Sequence, residues 1–78
     1  MPGLAMTLTV DIEVVGMTDD GDASKVAAAL QSQPGVTQVQ VQLSTGIART
    51  EIEKGTIVEH LLETVEETGF MARLAKGD

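Results

Sequence analysis

Val36-Thr37-Gln38-Val39-Gln40-Val41-Gln42-Leu43 alternates side-chain character, with Val39, Val41 and Leu43 on one face of a strand and Gln38, Gln40 and Gln42 on the other. Ser44-Thr45-Gly46 then reads as a tight turn. Ile47 to Ile52 returns as an antiparallel partner with Ala48, Thr50 and Ile52 inward, a short strand whose small residues leave room for helices above it. A hairpin with one buried face therefore stands at the centre of the chain.

Upstream, Thr7-Leu8-Thr9-Val10-Asp11-Ile12-Glu13-Val14 alternates in the same way and places Leu8, Val10, Ile12 and Val14 on one face of a first strand. Gly16-Met17-Thr18-Asp19-Asp20-Gly21-Asp22 breaks that strand and supplies carboxylates for a helix N-terminus. From Ala23 to Gln33 the residues favour helix, with Val26, Ala29, Leu30 and Gln33 at i, i+3, i+4 and i+7, and Pro34-Gly35 ends it. Downstream, Glu53-Lys54-Gly55 closes the hairpin's second strand. Thr56 to Thr68 reads as a second helix, with Thr56 as N-cap and Ile57, Leu61, Thr64, Val65 and Thr68 as its buried stripe. Gly69 is suited to the left-handed stop, Phe70 to Leu74 to a last strand, and Ala75 to Asp78 to a frayed end. The order βαββαβ predicts an α+β, ferredoxin-like fold: a four-stranded antiparallel sheet with both helices on one face.

At 78 residues the chain holds one domain, residues 1–78, with a core over about 7–74. Hydrophobic residues make up 42% and charged residues 22%, which is the balance of a folding domain and not of a disordered one. The net charge of −7 repels phosphate backbones and argues against nucleic acid as partner. No apolar run is long enough to span a membrane, and Met1-Pro2-Gly3-Leu4-Ala5-Met6 lacks the basic and apolar regions of a signal peptide, so the expected compartment is the cytoplasm. With no cysteine there is no disulfide, thiolate ligand or cysteine nucleophile. One histidine, no Ser–His–acid constellation and no phosphate loop leave no support for an enzyme.

The string resembles the heavy-metal-associated domain, the small carrier of copper, zinc or mercury found in metallochaperones, metal-pumping ATPases and mercuric reductase. The likeness runs from about Leu8 to Ala72: Pro34-Gly35-Val36 matches the family's "PGV" step, Val39 to Leu43 its second strand, and Leu61, Val65 and Gly69-Phe70-Met71-Ala72 its ending. Where the family carries Gly-Met-Thr-Cys-x-x-Cys, this chain has Gly16-Met17-Thr18-Asp19-Asp20-Gly21-Asp22, with aspartate at both cysteine positions. The resemblance implies that Gly16, Met17 and Thr18 support the loop, with Met17 packed beneath it, and that Phe70 stands beside it.

Two thiolates hold soft Cu(I) in near-linear geometry, and carboxylates do not replace them. Asp19, Asp22 and Asp20 offer hard oxygens instead, suited to a divalent ion such as Ca²⁺, Mg²⁺, Mn²⁺ or Zn²⁺, although their spacing does not match an EF-hand loop. The competing reading is helix capping, because a helix N-terminus favours negative charge and an aspartate there accepts a free N–H. His60 reads as an edge residue of the second helix, and Glu59, Glu63, Glu66 and Glu67 as a solvated acidic face. Two functions follow. One is a metal-trafficking-type module without soft-metal capacity, serving as a docking or regulatory domain for a larger metal-handling protein. The other is a ferredoxin-like interaction or ligand-sensing domain unrelated to metals, in which the Gln38, Gln40 and Gln42 row marks a sheet edge open to pairing.

Overall fold

In the computed structural model, which describes residues 7–75, the order is β1 (Thr7–Val15), α1 (Asp20–Gln31), β2 (Val36–Gln42), β3 (Ile47–Glu53), α2 (Val58–Glu67) and β4 (Met71–Leu74). The strands form one sheet in the order β2-β3-β1-β4, every neighbouring pair antiparallel. This is the βαββαβ, ferredoxin-like arrangement that the alternation predicts, with β1 and β3 inside and β2 and β4 at the edges.

Cross-strand register puts Ile12 opposite Ala48 and Val10 opposite Thr50, so one face of the sheet gathers the alternate apolar residues of each strand. The helices cover that face. Val26 and Leu30 from α1 and Leu61 and Val65 from α2 close over Ile12, Val14, Ala48 and Ile52, all essentially removed from water. Thr50 is the one buried polar side chain among the described residues, and its hydroxyl reaches back to the Ala48 carbonyl at 3.5 Å. The other face of the sheet stays open, and there Arg49 pairs with Asp11 at 3.2 Å and Arg73 with Glu13 at 3.1 Å.

Several boundaries differ from the sequence expectation, each for a local reason. Helix α1 begins at Asp20 and not Ala23 because Asp19 takes the N-cap position, and it stops at Gln31. Helix α2 begins at Val58 with Ile57 at its cap and no side-chain cap bond; the Thr56 hydroxyl donates instead to the Glu53 carbonyl at 2.7 Å, which ties the preceding turn. Ile57 is consequently about half exposed, and Val58 and Leu62 join Leu61 and Val65 in the packed stripe. Leu8 is 52% exposed, and among the described residues β4 pairs with β1 only along Ile12–Val15. Leu43 falls in the turn and Phe70 precedes β4. Ala75 does not fray: its N–H bonds the Asp11 carbonyl at 2.9 Å. The expectations for Met1 to Met6 and for residues 76–78 lie outside the described residues.

Gly35 and Gly69 both sit in the left-handed region, at φ +91° and +105°. They differ in surroundings. A Cβ at Gly35 would fall on the Thr56 hydroxyl, whereas one at Gly69 would meet nothing within 4 Å among the described residues. Left-handed strain costs a non-glycine residue on the order of 1 kcal/mol or more at either site. Gly35→Ala also has to displace Thr56 from its bond to Glu53. Urea unfolding should therefore place Gly35→Ala about 1 to 2 kcal/mol below Gly69→Ala. Equal stability of the two variants would mean that Thr56 moves aside at no cost.

Candidate functional site

The loop between β1 and α1 is built from both sides. Gly16 turns the chain at φ +109°, a conformation that costs glycine little. Its bare Cα faces the Phe70 ring: a Cβ there would stand 3.3 Å from the ring's Cδ1. Met17 is half-buried and packs against the core, as does Phe70. The loop is thus clamped between the core beneath Met17 and the aromatic ring that precedes β4, while Thr18, Asp19 and Asp20 face water.

The carboxylates are engaged with the helix start. Asp19, extended at φ −147° and ψ 176°, accepts the Asp22 N–H on its Oδ1 at 2.9 Å. Asp22 reaches back, and its Oδ2 accepts the Thr18 N–H at 2.9 Å and the Thr18 hydroxyl at 3.1 Å. This is a reciprocal capping arrangement in which the backward bond lands one residue before the cap. Gly21 makes room for it, since a Cβ there would lie 3.2 Å from the Asp19 Oδ1. The Thr18 N–H, chiefly, holds the Asp22 carboxyl below the ordinary aspartate range; partial desolvation opposes this, and the Thr18 hydroxyl and the Lys25 charge add to it.

Of the site residues named from sequence, the structure brings Gly16 and Phe70 into contact, places Met17 against the core, and links Thr18, Asp19 and Asp22 by hydrogen bonds. Asp20 is the first residue of α1 and stays exposed. Among the described residues no group of three or more His, Cys, Asp or Glu side chains is placed to hold a metal ion together. His60 and the carboxylates Glu59, Glu63, Glu66 and Glu67 are exposed along α2. Sequence reasoning missed Thr18 as a double donor and Lys25 as a nearby charge. The spacing of Thr18 four residues before Asp22, and of Lys25 three after it, was the available signal.

The heavy-metal-associated domain model matches residues 11–71. The chain belongs to that family. It is 38% identical over 64 residues to mercuric reductase from Shigella flexneri and 33% identical over 60 residues to that from Acidithiobacillus ferrooxidans, covering 82% and 77% of this chain. It spans only 11% of the length of either reductase. Among solved structures, oxidized MerP from Ralstonia metallidurans CH34 superposes with a TM-score of 0.85 at 26% identity, covering 91% of this chain and all of MerP. A copper binding domain from the P-type ATPase HMA7 gives the same TM-score at 28% identity, over 91% of this chain and 96% of that one. These likenesses fall on metal-binding modules, and among the described residues no helix is long and apolar enough to cross a membrane.

The capping bonds carry a pH signature. Because the folded Asp22 carboxyl titrates below its unfolded value, its contribution to stability is fully present above the ordinary aspartate range and is lost as pH falls through the folded pKa. NMR titration should show the Asp22 carboxyl with a midpoint below 3.8 and the Thr18 amide shift following the same curve. Asp22→Asn should remove that inflection from Thr18. A Thr18 amide indifferent to the Asp22 titration would show that the backward bond does not form in solution.

Proposed function

We propose that the chain is a metal-trafficking-type module in which the soft-metal site has become a helix cap, and that it serves as a docking or regulatory domain of a larger metal-handling protein. The observation that carries this reading is the bonding of Asp19 and Asp22, the two residues standing at the cysteine positions, to the backbone of the loop itself. Soft ions select polarisable sulfur, and a carboxylate oxygen already holding N–H and O–H donors is a poor substitute. Membership of the family and the short span of the reductases that the chain matches support a module working alongside other domains. Among the described residues no nucleophile is hydrogen-bonded to the imidazole of His60, and we assign the module no catalysis of its own.

A second reading is weak binding of a hard divalent cation through Asp19, Asp20 and Asp22. It draws on the hard oxygen chemistry of three carboxylates in one turn, and it requires them to leave their present positions and converge on the ion.

One titration series separates the two. Amide shifts and calorimetry with Cu(I) and Hg(II) should show no tight binding to the natural sequence, and the double variant Asp19→Cys/Asp22→Cys should gain one site for either ion. Tight soft-metal binding by the natural chain, lost in Asp19→Ala/Asp22→Ala, would overturn the proposal. Saturable shifts confined to Gly16–Ala23 at micromolar Ca²⁺ or Zn²⁺ would establish the second reading in its place.

A further inference from the structure

We infer that the β2 edge of the sheet is a self-recognition surface, on which a second copy of this chain pairs antiparallel to extend the sheet across a two-fold axis at Gln40. Among the described residues strand β2 is outermost and bonds only to β3. An exposed edge usually carries charge or proline that discourages pairing. This one carries neither, and no charged residue occurs anywhere between Lys25 and Arg49. In a chain of net charge −7, that stretch is where two copies approach with least repulsion.

Backbone directions make the edge available. The Gly46 carbonyl accepts the Val14 N–H at 2.7 Å, so the following β3 residues Ile47, Arg49 and Glu51 turn their peptide groups toward β2. Their register partners Gln42, Gln40 and Gln38 answer them. By the alternation of an antiparallel ladder, Val39 and Val41 then direct N–H and C=O off the edge. The irregularity between Val36 and Gln38, where the Thr37 hydroxyl holds the Glu51 carbonyl at 3.1 Å, confines the regular edge to the residues that follow.

The identity of the occupant comes from the sequence of the edge. Gln38-Val39-Gln40-Val41-Gln42 reads the same in both directions. An antiparallel second copy centred on Gln40 sets Val39 against Val41 of its partner as the hydrogen-bonded pairs and Gln38 against Gln42 on the open face. The half-buried Val39 and Val41 gain cover on the helix side, and glutamine meets glutamine on the other. One strand edge buries little area, so the dimer belongs to the weak class of interfaces.

Sedimentation equilibrium with a chelator present, which removes metal bridging, tests this independently of the proposed function. The mass should rise from monomer toward dimer over roughly 0.01 to 1 mM, the range of a small interface, with concentration-dependent amide shifts centred on Val39, Gln40 and Val41. Gln40→Glu places a carboxylate opposite Arg49 in its own sheet, which the fold tolerates, and sets two carboxylates together at the axis. It should stay monomeric throughout, and Gln40→Lys repeats the test with the opposite sign should the first variant misfold. A natural chain that remains monomeric, a charged variant that dimerises equally well, or shifts centred on another face would each overturn the inference.

Discussion

The closure of two helices over the inward face of β1 and β3 is the constraint from which the other features follow. Ala48 and Thr50 are the small and modest side chains of that face, so Leu30 and Leu61 can descend to the sheet without meeting bulk from below. Once Val14 and Val26 must both be buried, the chain between them has to leave the end of the sheet, reverse and start a helix within a few residues. Gly16 provides the reversal, Met17 anchors it in the core, and Asp19 starts the helix. The loop geometry is therefore set by packing and capping, interactions that need no ligand in the loop. That is why the scaffold remains intact with aspartates at both cysteine positions.

How much of this could be read from the residues depended on whether the deciding interaction was periodic or local. The strands were legible because Val39, Val41, Ile12 and Ala48 recur every second residue, and the stop at Gly69 because a left-handed end leaves few alternatives to glycine. The helix starts were less legible. Asp19, Asp20 and Asp22 are chemically equivalent on paper, and only the extended backbone at Asp19 decides which of them caps. Thr56 looked like a cap because threonine often is one, but its hydroxyl found the Glu53 carbonyl first. Leu8 and Ile57 fit their stripes by spacing yet lie exposed, because periodicity does not tell where the covering layer ends. At the loop, capping and ligation require the same residue types and differ only in where the oxygens point, so composition left both readings standing.

Charge is unevenly distributed over the finished fold. On the open face of the sheet the carboxylates of Asp11 and Glu13 are answered by Arg49 and Arg73, the latter pair bidentate at 3.1 and 3.2 Å. Pairs this exposed stabilise by about 0 to 1 kcal/mol and matter more for orienting strands than for holding them. Helix α2 has no such ion pair among the described residues: Glu59, Glu63, Glu66 and Glu67 stand on a helix without lysine or arginine. The net negative charge is thus expressed on the helix layer, while β2 at the sheet's edge is electrically quiet. Two surfaces with such different fields are suited to different contacts, long-range steering by the helices and short-range pairing by the edge.

The exchange of cysteine for aspartate at a helix N-terminus is electrostatically conservative and chemically radical. The same unpaired N–H groups and dipole that favour a thiolate also favour a carboxylate, so the field at Asp19 and Asp22 suits either anion. What changes is the competition for that anion. Sulfur is a weak hydrogen-bond acceptor and leaves its lone pairs to a soft metal, whereas a carboxylate oxygen is a strong acceptor within reach of the backbone. Asp19 binds the Asp22 N–H and Asp22 binds Thr18 twice, so the site closes upon itself. The oxygens that stand where the family carries sulfur are thus spent on internal bonds that tie the same turn to the start of α1.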